Sequence, residues 1–136
     1  MPSFAERSKS HLEEADQRLR DIANEVIKHY DFAVIAGHRG EEAQNQAVHE
    51  GRSQKRWPQG SHNSVPSRAI DVAPLPIDWD SEHAAKKFSF LAGFFFGVAA
   101  TKGVGLRWGG DWDGDRQMND QKLHDLTHIE LLSDAE

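Results

Sequence analysis

The chain has 136 residues, a formal charge of −6, 28 % charged and 38 % apolar residues, and no cysteine. That balance suits one globular domain and excludes a disordered chain. The missing cysteines exclude disulfides and thiolate metal sites, so a transition metal would have to be held by histidine and carboxylate. Lys and Arg are interspersed with acids rather than gathered into a basic block, which argues against nucleic acid as a partner.

Residues 1–10 contain no apolar run of the kind a signal peptide needs, so the expectation is synthesis in the cytoplasm without an export signal. Leu12, Ala15, Leu19, Ile22, Ala23, Val26 and Ile27 recur at spacings of three and four and predict one amphipathic helix over about residues 8–29. Tyr30-Asp31 breaks it, and Phe32-Ala33-Val34-Ile35-Ala36 reads as a short buried strand running into the loop Gly37-His38-Arg39-Gly40. A short helix is expected over residues 41–50, ended by Gly51. Residues 52–60, with Trp57-Pro58, read as an exposed loop.

Ala69-Ile70-Asp71-Val72-Ala73 is the second expected strand, stopped by Pro74-Leu75-Pro76. Asp80 or Ser81 is the expected N-cap of a helix over 82–101 that is apolar almost all round and should be buried, with Gly103 as its C-cap. The apolar run within it, residues 88–100, is too short to span a bilayer, so no membrane insertion is expected. Gly105 to Gly110 reads as a strand entering a turn, and residues 121–132 hold a further strand. The expected fold is a small single α+β domain over residues 1–136, an antiparallel sheet with packed helices and a metal site at the sheet face.

Eight histidines is a high count for this length. His62 and Asp71, nine positions apart, mean little as a pair, since a loop histidine and a turn-capping acid would look the same. Asp71, however, lies inside an apolar run, where a buried carboxylate needs a partner or a metal to offset its desolvation. Strand alternation sets Ala69, Asp71 and Ala73 on one face and Ile70 and Val72 on the other. In the same way His128 and Glu130 share a face opposite Ile129 and Leu131. Asp125, three residues before His128, is placed for a general base acting on water acidified by a metal.

Ser61-His62 and Ala69-Ile70-Asp71, followed by Asp125-x-x-His128-x-Glu130, resemble the zinc peptidases that include D-alanyl-D-alanine carboxypeptidases and dipeptidases. The likeness is closest to their phage-endolysin branch, the L-alanyl-D-glutamate peptidases. It extends to Tyr30-Asp31-Phe32, Gly37-His38-Arg39, Ile77-Asp78-Trp79 and Leu106-Arg107-Trp108-Gly109-Gly110-Asp111-Trp112, covering roughly residues 30–132. The resemblance implies Zn²⁺ bound by His62, Asp71 and His128, with Asp125 as general base and Arg39 near the substrate carbonyl as oxyanion stabiliser. It implies a phage lysis enzyme, a monomer, whose partner is the peptide stem of bacterial peptidoglycan and which reaches the wall after another protein permeabilises the membrane. The turn between His62 and Asp71 is longer than the family's commonest form, and the base is Asp where several members have Glu. Other readings stay open: a D-Ala-D-Ala carboxypeptidase, or a non-catalytic zinc-stabilised wall-binding module.

Three further features have competing readings. His124-Asp125-Leu126-Thr127-His128 has the form of a helical zincin motif with Asp for Glu, but Thr127 and Ile129 favour a turn and strand. Asp111, Asp113 and Asp115 alternate as in a Ca²⁺ loop but lack its full spacing and terminal glutamate, so a solvated loop is favoured. Trp108 and Trp112 fit a substrate groove or a core edge. His38 is read as a loop residue, and His11, His29, His49 and His83 as surface residues.

Overall fold

Backbone pairing with a distant segment divides the N-terminal stripe in the computed structural model, which describes residues 2–51, 55, 57–110 and 126–132. Where one helix was expected there are two, α1 (Glu6–Glu13) and α2 (Gln17–Val26). Between them Asp16 leaves the helix, and its side chain caps α2 by accepting from the Arg18 amide at 2.9 Å. The Asp16 amide donates to the Ser67 carbonyl and the Ser67 amide to the Glu14 carbonyl, both at 2.8 Å. A local reading of helix propensity cannot detect such a bond. The apolar stripe survives the break, and Leu12, Ala15, Leu19, Ile22, Ala23, Val26 and Ile27 are all buried.

Four strands form one antiparallel sheet in the order β1-β2-β4-β3: β1 (Phe32–Ala36), β2 (Ala69–Pro74), β3 (Leu106–Trp108) and β4 (His128–Leu131). The expected fold class is borne out. The cross-strand pairs sort by face. Val34 opposes Val72, Ile70 opposes Ile129, and Ile129 and Leu131 oppose Trp108 and Leu106. All of these belong to the hydrophobic core. On the other face Asp71 opposes His128, while Ala69 and Arg107 both oppose Glu130. The register shifts between Val34 and Ala36, so Ala36 stands opposite Asp71 where the chain turns out towards Gly37. Helix α1 packs along β1, and the Ser8 hydroxyl accepts the Val34 amide at 3.0 Å.

Helix α3 (Glu41–His49) follows β1 and ends before Gly51, whose φ of +78° suits a helix stop. Helix α4 (Ala84–Lys102) packs against α2, β2 and β3 and ends at Gly103 with φ +69°. Two expectations for α4 need correction. The residue before its first turn is His83, which makes no side-chain cap, while Ser81 lies two residues earlier, donating to Asp78 and accepting from the His83 amide. Nor is α4 buried all round. Phe88, Leu91, Ala92, Phe95 and Ala99 face the core, whereas Phe90 is 61 % and Phe96 38 % exposed. The sheet and α2 cover one side of this helix, and its apolar content exceeds what that side can bury.

Candidate metal centre and active site

The central pair of the sheet supplies two members of the site, since Asp71 on β2 stands directly opposite His128 on β4. The third, His62, arrives from the loop before β2. Its Nε2 lies 3.4 Å from Asp71 Oδ1, and His128 Nδ1 lies 3.5 Å from the same oxygen. The two imidazoles meet edge to face with ring centres 5.1 Å apart. One ligand atom from each of the three residues lies within 4.8 Å of the others, a grouping that could hold a metal ion.

The long turn between His62 and Asp71 does not carry the histidine away. Its base is tied down by the Arg39 amide to the His62 carbonyl at 2.7 Å and the Arg68 amide to the Ser61 carbonyl at 3.0 Å. Buried Asn63 accepts from the Gly60 amide at 2.7 Å and donates to the Arg39 carbonyl at 3.0 Å and Gln44 Oε1 at 3.1 Å. At the far end Ser67 is held by Glu14 and Asp16, so the break between α1 and α2 also anchors this turn. The extra length projects outward at Val65, which is 83 % exposed.

The hydrogen bonds around each imidazole say which nitrogen faces inward. His62 Nδ1 donates to the Gly37 carbonyl at 2.7 Å, leaving the Nε2 lone pair directed at Asp71. Gly37 must be glycine, because a Cβ there would lie 2.3 Å from the His11 carbonyl oxygen. His128 is turned the other way, with Nε2 at 2.8 Å from Glu130 Oε1 and 3.3 Å from Ser61 Oγ. His62 Nε2 and Asp71 Oδ1 are buried and make no hydrogen bond among the described residues. Two buried polar atoms left in that state a few ångströms apart destabilise the fold by roughly 1–3 kcal/mol each, and a cation between them removes that penalty.

Charge follows the same geometry. Burial pushes the Asp71 carboxyl up, but His128 and His62 beside it outweigh burial and hold it well below the usual carboxylate range. Burial disfavours charge on His128, and its contacts with Asp71 and Glu130 reverse that and push it up to about 9. Glu130 is likewise held below its ordinary value, burial opposing and His128 prevailing. Arg39 brings its guanidinium to 3.7 Å from Asp71 Oδ2, and its other terminal nitrogen donates to Gln44 Oε1 at 3.1 Å. Gln44, fully buried on α3, also donates to the Lys55 carbonyl.

His62, Asp71, His128 and Arg39 are thus brought together, as the family resemblance implied. Asp125 lies outside the described residues, as do His124, Trp112 and the aspartates 111, 113 and 115. Trp108 belongs to the core, with its indole N–H donating to the Leu126 carbonyl at 2.9 Å, which is the core-edge reading of this residue. His29, His49 and His83 are exposed and His11 partly so, as expected. His38 remains a half-buried loop residue apart from the His62, Asp71 and His128 grouping. Sequence reasoning gave no role to Gln44, to the Gly37 carbonyl or to Glu130. Only Glu130 carried a readable signal, its place on the same strand face as His128.

A family model described as phage L-alanyl-D-glutamate peptidase matches residues 2–132. Among solved structures, the chain is similar to the Serratia marcescens L-Ala D-Glu endopeptidase ChiX, with a TM-score of 0.75 and 22 % sequence identity, over 96 % of this chain and 90 % of that one. That likeness shows a shared fold. Comparison with curated protein sequences finds no match.

Proposed function

This chain belongs to the phage L-alanyl-D-glutamate peptidase family, whose members act on peptidoglycan, and from that premise we propose that it cuts the peptide stem through a zinc ion held by His62, Asp71 and His128. One observation carries the proposal: His62 Nε2 and His128 Nδ1 lie 3.4 and 3.5 Å from one buried carboxylate oxygen. A tetrahedral zinc with bonds of about 2.1 Å separates its ligand atoms by about 3.4 Å. Two imidazoles and one carboxylate leave a fourth position open for chemistry. The Mg²⁺ and Ca²⁺ alternatives would favour more oxygen donors.

Bound there, zinc would polarise the scissile carbonyl and acidify the attacking water. The remaining work falls to side chains. Asp125, three positions before His128 in the sequence, would take the proton from water as its oxygen bonds to the carbonyl carbon. It would return that proton to the leaving amine as the C–N bond breaks. Arg39, oriented by Gln44 and held beside Asp71, would donate to the carbonyl oxygen as negative charge develops. Residues 1–136 are read as one peptidase domain, working as a monomer with no nucleic-acid partner. Among the described residues no helix is long and apolar enough to cross a membrane. Access to the wall is proposed to follow permeabilisation by another protein.

The test is digestion of purified peptidoglycan with and without chelator, followed by mass spectrometry of the products. The expected result is new D-glutamate amino termini that disappear on chelation and return with zinc. Release of terminal D-alanine instead would identify a carboxypeptidase, and zinc content without hydrolysis a binding module. Asp125→Ala should retain zinc and fold while losing turnover; full activity in that variant would remove Asp125 from the mechanism.

A further inference from the structure

We propose that Glu130 is a positioning residue that fixes the tautomer of His128, so that the two metal-binding imidazoles present opposite ring nitrogens to the ion. The inference rests on the zinc reading above and assigns a role to a side chain that reading does not use.

His62 is fixed by a backbone carbonyl. Its Nδ1 donates to Gly37, and Nε2 faces Asp71. His128 has Nδ1 facing Asp71 at 3.5 Å and so needs its proton on Nε2. Without an acceptor at Nε2 a neutral imidazole can place the proton on either nitrogen, and the Nδ1–H form cannot bind a metal at that atom. Glu130 supplies the acceptor at 2.8 Å, and the Ser61 hydroxyl approaches the same nitrogen at a longer 3.3 Å.

The placement of Glu130 is enforced by the sheet. Two residues beyond His128 on β4, it projects from the same face. Its cross-strand neighbour on β2 is Ala69, which leaves room for the longer side chain. Its neighbour on β3 is Arg107, whose guanidinium lies 3.8 Å from Glu130 Oε2. Arg107 therefore draws one carboxylate oxygen away and leaves Oε1 for His128. A carboxylate hydrogen-bonded to a ligating histidine fixes the ring's orientation and increases its basicity, and losing such a partner typically weakens metal binding by about 10–100-fold.

Two measurements test this. In the zinc-loaded wild type, long-range ¹H–¹⁵N spectra of the imidazoles should show His62 protonated at Nδ1 and His128 at Nε2. Both rings in the same tautomer would overturn the proposal, and this readout needs no variant to fold. Zinc affinity, measured by competition with a chromophoric chelator, should fall about 10–100-fold in Glu130→Ala. In Glu130→Gln, whose amide oxygen can still accept from Nε2, it should largely recover. At saturating zinc, KM should stay near the wild-type value in both variants. An unchanged zinc affinity in Glu130→Ala would defeat the inference while leaving the zinc reading intact, and a rise in KM alone would make Glu130 a substrate contact instead. A wild-type protein that binds no zinc would defeat both.

Discussion

On one face of β2 and β4, Ile70, Val72, Ile129 and Leu131 pack with Val34, Leu106, Trp108 and the inner side of α4. One residue along the same strands, Asp71 and His128 turn the opposite way, meet His62, and are buried almost as deeply as the core. Apolar contacts on the first face are satisfied by the protein alone. On the second, two buried atoms have no hydrogen-bond partner among the described residues. The core face thus holds the backbone register that keeps the second face assembled despite the cost of its buried polar groups. A site of this kind is pre-organised for a cation because packing behind it, not the site itself, fixes its geometry.

The sharpest way to break the comparison is to remove a ligand. His62→Ala and His128→Ala should each lower peptidase activity about 10³-fold or more, the several kcal/mol expected of a lost metal ion. Metal-free His128→Ala should also unfold at a lower Tm than the metal-free wild type, because that ring is the partner of the buried Asp71 and Glu130 carboxylates. Excess zinc should raise the wild-type Tm and leave the variants unmoved. Activity that survives these substitutions would dissolve the distinction between the faces.

The converse substitution is Ile70→Ala, one residue before Asp71 and completely buried. Denaturant unfolding should show a loss of about 2–5 kcal/mol from the cavity left behind. Well below its Tm the variant should keep most of its activity and zinc affinity, because Asp71 and His128 remain paired across the strands. A large loss of zinc affinity at full folding would mean that the two faces are coupled more tightly than the pairing implies.

The two faces were not equally legible in the sequence. Period-two alternation assigned Ile70, Val72, Ile129 and Leu131 to the core and Asp71 and His128 to the site, because a strand leaves a side chain only two directions. The stripe from Leu12 to Ile27 was legible for the same kind of reason. Its interruption was not, since the cause is a bond to Ser67, distant in the chain. Helix α4 shows the opposite failure: its composition announced burial, but composition does not say which neighbours exist to cover Phe90 and Phe96. In the site, Gly37 contributes a carbonyl that every residue type possesses, and Gln44 occupies an ordinary helix position. Neither could be singled out by residue type or spacing.

The interruption itself offers a smaller test, on the support of the site face. Asp16→Ala removes the cap of α2 and should lower stability by about 1 kcal/mol at neutral pH. The side-chain hydrogen bond from Arg18 holds the Asp16 carboxyl below its ordinary value of 3.8, outweighing the opposing effect of burial. A carboxyl lowered on folding stabilises the protein above that ordinary value and loses its contribution as pH falls through the folded one. The gap between wild type and variant in urea unfolding should therefore be full at pH 7 and close below about pH 3.8. A gap independent of pH would mean that the cap acts through packing alone.

The smallest effect is expected at Val65, on the projecting part of the long turn. Its side chain is 83 % exposed, while both ends of the turn are fixed by Arg39, Arg68, Glu14 and Asp16. An apolar side chain in water at an anchored loop tip contributes little to folding, so Val65→Ser should change stability by less than about 0.5 kcal/mol. Zinc affinity should be equally unaffected, because His62 is located by its own hydrogen bonds and not by the tip. The measurement to watch is KM for peptidoglycan. A KM that rises while zinc affinity and Tm hold would place this tip against the substrate. The added length would then be a binding element of the site face, whereas an unchanged KM leaves it a tolerated extension of a loop secured at both ends.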